Sequence, residues 1–478
     1  MADTDQVGLF YVPETQRGVT PANPQFHPLR FTSGGPTQTP RSVETKEIRP
    51  DRQTTDRILV AIDAAGDTNV EWSYGNLDFM LEAGMAGSWI RGATTAPTAM
   101  ATGTMTTSAG QAAQYRKSML LRGVGFAQAA NNALLKVTAD GSGTAVAITG
   151  GATEGTPPAG ATIIRVGLEG ASGDIAATAG PGLTMTGATG SWLDLGLVPG
   201  DWIKIGAADQ AAGYSFATGA CNGWCRVSSV TATLLTFDIV PVGWAADAGG
   251  GKTIRVWLGE RLDHGTTRRS FSVQRRFTDI GVFETFKGMQ VNTIRVEGRP
   301  QDILNGAVSF MGEQGTVSNS QLTGATDLPA PTGDIMSTGT DVARMAMGGA
   351  EVGINDENYV QSVNFTIDNQ LAQKAAVGHF GSVGTRLGRL KIEGTLETYF
   401  ATMALYQAAL ANQDTSFDMR VTDNDGHAYI FDLPRIKTEG TPNVPGSNQD
   451  VTLPLRFSAL RHPVLGYMCR IVRFNEVH

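Results

Sequence analysis

Asp423-Asn424-Asp425-Gly426 is the string in this chain that comes nearest to a cation ligand set. A calcium loop needs a further acid two residues earlier, where Val421 stands, and a bidentate Glu at its twelfth position, where Asp432 stands. Asp425-Gly426 between alternating strands is a familiar hairpin pair, and the turn is the reading adopted. The histidines, His27, His264, His379, His427, His462 and His478, show no metal-ligand spacing, and His264 and His427 fall in or near turns. Gly249-Gly250-Gly251-Lys252-Thr253 has the ending of a phosphate-binding loop, but its first glycine is misplaced and a strand, not a helix, follows. No strained serine turn with triad partners is found. Glu71 and Glu397 occupy matched places and could form a repeated acid pair; a shared structural role, capping the next helix or facing solvent, is favoured. Cys221, Cys225 and Cys469 are too few for a disulfide framework, so a reducing compartment is expected, with a Cys221–Cys225 bridge as the alternative. No catalytic, cofactor-binding or metal residue is nominated, and an enzyme is not expected.

The elements around these residues come in two copies. Ser270 to Met311 and Ser416 to Leu460 share an order of features: Ser-Phe opening a strand, Gly281 or Gly426 at a turn, then Glu297-Gly298 or Glu439-Gly440. Asp302-Ile303 and Asp450-Val451 follow, leading to Phe310 and Phe457. The repeat extends backwards. Leu29 to Thr32 resembles Val363 to Thr366, and each precedes a long excursion returning as a strand, Arg57 to Asp63 or Gly388 to Gly394. Val70-Glu71 and Leu396-Glu397 then lead into short amphipathic helices marked by Leu77, Met80 and Leu81, and by Met403, Tyr406 and Leu410. The plan is strand, loop, strand, helix, strand, hairpin, strand, used twice.

With 478 residues, 59 glycines and only 17% charged residues, the chain fits a mainly β protein of roughly three or four domains. A net charge of -8 without a basic block argues against a grip on phosphate backbone. The N-terminus has acids where a signal peptide needs bases, and no stretch suits a membrane span, so a soluble protein made in the cytoplasm is expected.

In chain order, residues 1–25 read as an arm and 26–93 as the first half of module one, with Ser42 to Asp63 a charged hairpin arm. Residues 94–190 are an inserted β-rich region and 191–265 an inserted small β-barrel. Residues 266–316 complete module one, 317–350 are a linker, and 351–478 are module two. Strands are expected at Leu134 to Thr138, Ile163 to Leu168 and Leu183 to Thr186, and on both sides of Pro199-Gly200-Asp201. Trp192, Trp202, Trp224, Trp244 and Trp257 cluster in the insertion; they suit a filled barrel core, with a glycan or peptide surface as the alternative.

Ser42 to Ser73, followed by Tyr74-Gly75-Asn76-Leu77-Asp78 and a short helix, resembles the major tail tube proteins of long-tailed bacteriophages. GLVPGDWIKI, SFSVQRRF and the Asp-Gly hairpin before FDLP fit the same family; the likeness is weakest from about Thr98 to Gly190. The resemblance implies duplicated β-sandwich modules, each with a flanking helix, plus inserted β domains. Their inner sheets would join into rings that stack as a conduit for genomic DNA, which passes without sequence-specific binding. Single-module relatives form hexamers, so two modules per chain imply a homotrimeric, pseudo-sixfold ring, with a true hexamer as the alternative. It further implies a virion tail protein assembled in the host cytoplasm, with tape measure, tail terminator and distal tail proteins as partners and no cofactor. A virion decoration or fibre protein, or a glycan-binding adhesin working through the inserted barrel, is the competing reading.

Overall fold

The computed structural model describes residues 3–186, 190–207, 213–353 and 358–475. Strands dominate, and the two α-helices among the described residues have seven residues each. The chain divides into two compact units. One comprises Met1–Ser88, Leu262–Asn424 and Phe431–Arg470; the other comprises Trp89–Arg261, Asp425–Ile430 and Ile471–His478.

In the first unit the elements that matter, in chain order, begin with β1 (Val7–Pro13), β2 (Thr37–Glu44), β3 (Arg57–Glu71) and α1 (Asp78–Gly84). Next come β4 (Phe271–Phe277), β5 (Val282–Gly298), β6 (Asn305–Gly312), β7 (Val342–Met347) and β8 (Val360–Asp368). They end with β9 (Ala372–Ala375), β10 (Ser382–Arg386), β11 (Lys391–Tyr399), α2 (Ala404–Leu410), β12 (Thr415–Thr422), β13 (Ala428–Glu439) and β14 (Thr452–Ala459).

Antiparallel pairing links β2, β3, β6, β5, β8, β11, β14 and β13 in that order. The period-two alternation that sends successive side chains to opposite faces is complete in β6, where Gly306, Val308, Phe310 and Gly312 are buried and the residues between them are not. The buried face continues through Val70, Ile294, Phe365, Leu396 and Phe457. Behind it Phe417 stacks on Phe457 at 5.2 Å, and Phe431 meets Phe365 at 5.2 Å and Trp72 at 5.5 Å. Burying one such ring contributes up to about 3 kcal/mol, so this aromatic cluster is a principal term holding the modules' layers together.

Each module also has a leading strand that the sequence reading missed. The expected arm contains β1, which pairs with β4 along its whole length, from Val7↔Phe277 to Pro13↔Phe271, and buries Leu9, Tyr11 and Val12. The expected linker contains β7, which pairs with β12 from Val342↔Val421 to Met347↔Phe417 and buries Ala346 and Met347. Both are packed elements, not tethers. Leu29–Thr32, expected as a strand, instead connects the strand Gln25–Pro28, paired with β1, to Ser33–Gly34, paired with β3.

Glu14, just past β1, fixes this layer. Its carboxylate accepts from the Ser270 hydroxyl (2.7 Å), the Ser272 hydroxyl (2.8 Å), and the Gly18 (2.8 Å) and Gly288 (3.0 Å) amides. Gly288 has φ +62°, a conformation costly for side-chain-bearing residues, and it sits where β5 exchanges β4 as a partner for β6.

The helices begin seven residues beyond Glu71 and Glu397 respectively, as the repeat requires. Their packing differs. In α1, Met80 and Leu81 are buried, Gly84 lies against Ile294, and Phe79 meets Tyr11 and His27. α2 buries no residue, and Met403 and Leu410 are each 64% exposed.

The second unit is built on one antiparallel sheet. Its hydrogen-bonded order is Leu134–Lys136, Met119–Val124, Thr162–Gly170, Ile254–Leu258, Trp202–Ile205, Gly223–Val230, Leu234–Ile239, Gly182–Met185 and Ile175–Thr178. Thr162–Gly170 pairs with Ile254–Leu258, and Gly182–Met185 with Leu234–Ile239, so the ladder crosses the boundary expected near residue 190. The segment before Pro199-Gly200 is not a strand; Trp192–Leu195 forms a 3-10 helix.

Candidate functional site

The residues considered for chemistry are not assembled into a reaction centre. Asp423, Asp425 and His427 approach within 4.8 Å of one another in the turn after β12. That donor set falls short of the six or more oxygens calcium takes, and the Asn424 amide donates to Asp334 instead (3.0 Å). Glu71 and Glu397 lie on strands four spacings apart in the sheet, about 19 Å at ~4.8 Å each, too far to share a proton. Gly249–Thr253 leads into the strand Ile254–Leu258. Cys221, Cys225 and Cys469 are free and buried, and burial pushes the Cys221 thiol up, away from reactive thiolate. His27 stacks on Tyr11 at 5.2 Å, while the His462 ring nitrogen accepts the Leu465 amide at 3.0 Å; His478 lies outside the described residues. Trp192 and Trp257 are fully buried and Trp244 donates to the Thr178 carbonyl (2.8 Å), so these three fill the interior of the insertion, whereas Trp202, also buried, packs with Ile239, Ala428, Ile430, Val472 and Phe474, and Trp224 lies against the same cluster.

What the repeat does assemble is a surface. Thr293↔Asp368 through Gly298↔Val363 pairs β5 with β8, fusing the sheet of module one to that of module two edge to edge. A row of directly opposed residues consequently crosses the whole solvent-facing side. Module one gives Glu71, Asn305 and Glu297, and module two continues with Asn364, Thr395, Arg456 and Glu439. Along this face Asp67, Glu71, Glu297, Asp368, Glu393, Glu397 and Glu439 stand among Arg295, Arg299, Lys391, Arg435, Lys437 and Arg456, so the two signs are interspersed. Ion pairs such as Lys391–Glu393 (2.7 Å) and Arg299–Glu297 (2.8 Å) engage some of the cations there.

Two features extend from this sheet. The β2–β3 and β9–β10 hairpins rise from the same end, since β2 and β8 run parallel through the alternating ladder. Ile48 at the first tip is 98% exposed and Val377 at the second is fully exposed. Ile58, Leu59 and Val60, successive on β3, are all exposed, so the first hairpin stands clear of the body on both faces. The other feature is a pair of open edges. Among the described residues the Thr37–Glu44 strand has a ladder partner on one side only, and the end of β13, Ile436–Glu439, pairs with β14 but has no counterpart to the β8 strand that covers the matching part of β5.

A family model described as phage tail tube protein matches residues 4–189 and again residues 164–459. This chain belongs to that family. The tail tube protein carries two tandem modules, as the repeated strand order indicates, and its family is a structural one of the virion tail. No curated protein matches the chain. Among the described residues no helix is long and apolar enough to cross a membrane.

The matched positions of the two modules differ in register. Glu71 opposes Asn305, five residues before Phe310, whereas Glu397 opposes Pro454, three residues before Phe457. The copies therefore slide by two residues across this ladder, one full pleat, which keeps both phenylalanines in the core.

Proposed function

We propose that the chain closes into a ring by repeating, between chains, the β5–β8 seam it forms within itself, and that the rings stack into a conduit for genomic DNA. The observation that carries this reading is that seam. One module presents the Ile294–Gly298 edge, the next presents Val363–Ile367, and the same edge reappears at Ile436–Glu439, which among the described residues pairs on its β14 side alone. Open sheet edges drive strand addition, and closure removes them. Two modules per chain then make three chains a six-module ring, with pseudo-sixfold symmetry.

The polar side of the fused sheet lines the lumen. Its carboxylates, interspersed with cations, leave no basic track to hold the phosphate backbone and no sequence-reading contacts, so the duplex slides. Tape measure, tail terminator and distal tail proteins are its partners in the tail, and assembly takes place in the host cytoplasm. Cryo-electron microscopy of purified, concentrated protein tests the arrangement. Three chains around an open lumen are expected; six full chains in one ring would sink the trimer, and a lumen lined by the insertion would refute the placement of the sheet.

A further inference from the structure

At the end of the fused sheet away from the hairpins, each module has a cleft. In module two it lies between β7 and the start of β8, holds about 270 Å³, and is walled by Val342, Met345, Val360 and Val363, with Arg299 and Gln301 at its border. In module one a cleft of about 380 Å³ occupies the corresponding place, between β1 and Pro28–Thr32. We infer that these clefts are sockets for hairpin tips of another copy of this chain, the module-two cleft receiving Val377 and Phe380. This rests on the stacked-ring reading and supplies the surface that receives the hairpins.

Socket and tip belong to opposite ends of one strand. Val360 lines the cleft, and eight residues on, about 27 Å at ~3.4 Å per residue, Asp368 leads into the β9–β10 hairpin. Complementary surfaces at opposite ends of a molecule cannot satisfy each other within it; between copies they give a head-to-tail contact that propagates as an open stack. The chemistry matches. Ala375 to Phe380 contains no acid, Lys or Arg, Val377 is fully exposed and Phe380 half exposed, and the cleft offers Val342, Met345, Val360 and Val363 beside the uncharged Thr338, Gln361 and Ser362. Apolar side chains bared at a tip are costly unless a partner covers them. Duplication adds independent support, because both the hairpin and the cleft occur once per module. The module-one cleft lacks a wall equivalent to Gly298–Gln301. On the ring reading the neighbouring copy's turn after β13 supplies that wall.

The test joins Val377→Cys with Gly339→Cys at the border of the module-two cleft. A side chain at Gly339 meets nothing within 4 Å, and the three native cysteines are buried. Mild oxidation of assembled double variant should give a ladder of linked chains on a denaturing gel, whereas either single variant stops at dimers. A second variant, Val377→Asp, should fold normally and form rings, with mean stack length reduced about tenfold. Tubes of unchanged length from Val377→Asp, or tubes of the double variant without a ladder, overturn the socket while leaving the ring reading intact. Failure of the unaltered chain to form rings would overturn both.

Discussion

Replacing Glu14 by Ala tests whether β1 is a locked part of module one. The carboxylate holds four donors, and hydrogen bonds to a charged group contribute about 1.5–3 kcal/mol each. A simple sum overstates the loss, because Glu14 is only half-buried and water can replace part of its shell. Ser272 also keeps Thr20 as a partner at 2.7 Å, so Ser270, 6% exposed, is the hydroxyl left without an acceptor. The expected destabilisation is about 2–4 kcal/mol, with Glu14→Gln losing about half as much. Since ~1.4 kcal/mol is a factor of ten, hydrogen exchange across Val7–Pro13 should accelerate about 30- to 700-fold when the strand opens locally. Exchange measured by mass spectrometry reads this peptide directly, and urea unfolding gives the global cost. Parent-like protection of Val7–Pro13 in Glu14→Ala would refute the latch.

Deleting residues 1–25 removes β1 with Leu9, Tyr11 and Val12, a loss of roughly 5–9 kcal/mol that rivals the whole stability of a domain, so an insoluble or unfolded product is expected, while deleting 1–6 should leave the melting temperature nearly unchanged. A soluble, folded product of the longer deletion would return these residues to the role of an accessory arm. Arg344→Met should cost about 3–5 kcal/mol by chemical denaturation, because Arg344 pairs with buried Asp418 at 2.7 Å and with Glu351 at 2.6 Å, and its removal strands the Asp418 charge. In the second unit, burial alone would raise the Glu169 carboxyl, but Lys136 and Arg255, each at 2.8 Å, outweigh it and hold it below the ordinary range. A depressed carboxyl adds stability above its unfolded value, near ~4.3, and loses it as pH falls through the folded value; Glu169→Gln should flatten that acid limb and cost about 2 kcal/mol at neutral pH. An identical acid limb in the variant would show that another carboxylate governs it.

How much could be read from the chain depended on whether a strand's partner lay where its pattern pointed. β6 was legible because Asn305–Gly312 alternates without a break, and the Asp425-Gly426 turn because few other structures use that pair so freely. β1 was not, because Val7–Pro13 is almost continuously apolar and its prolines and neighbours read as coil. β7 hid for the opposite reason. It places Arg344 inward, and the Asp418 and Glu351 that neutralise it are distant in sequence or direction, so a charge at a buried position looked like a linker. Helical spacing announced apolar stripes on both α1 and α2, yet spacing carries no information about whether the covering surface is in the same chain. The two-residue slide between modules was similarly invisible, since a shift by one pleat preserves every inward and outward position.

The β5–β8 seam has a kinetic meaning as well. In a ring of three chains, half of the module junctions are completed while each chain folds, at the high effective concentration of a tethered pair. Ring closure then needs three bodies to meet instead of six, so its rate falls less steeply as subunits are depleted, and fewer kinds of incomplete ring can accumulate. A chain that misfolds at this seam also fails before it can enter the tube, making every second junction its own quality check.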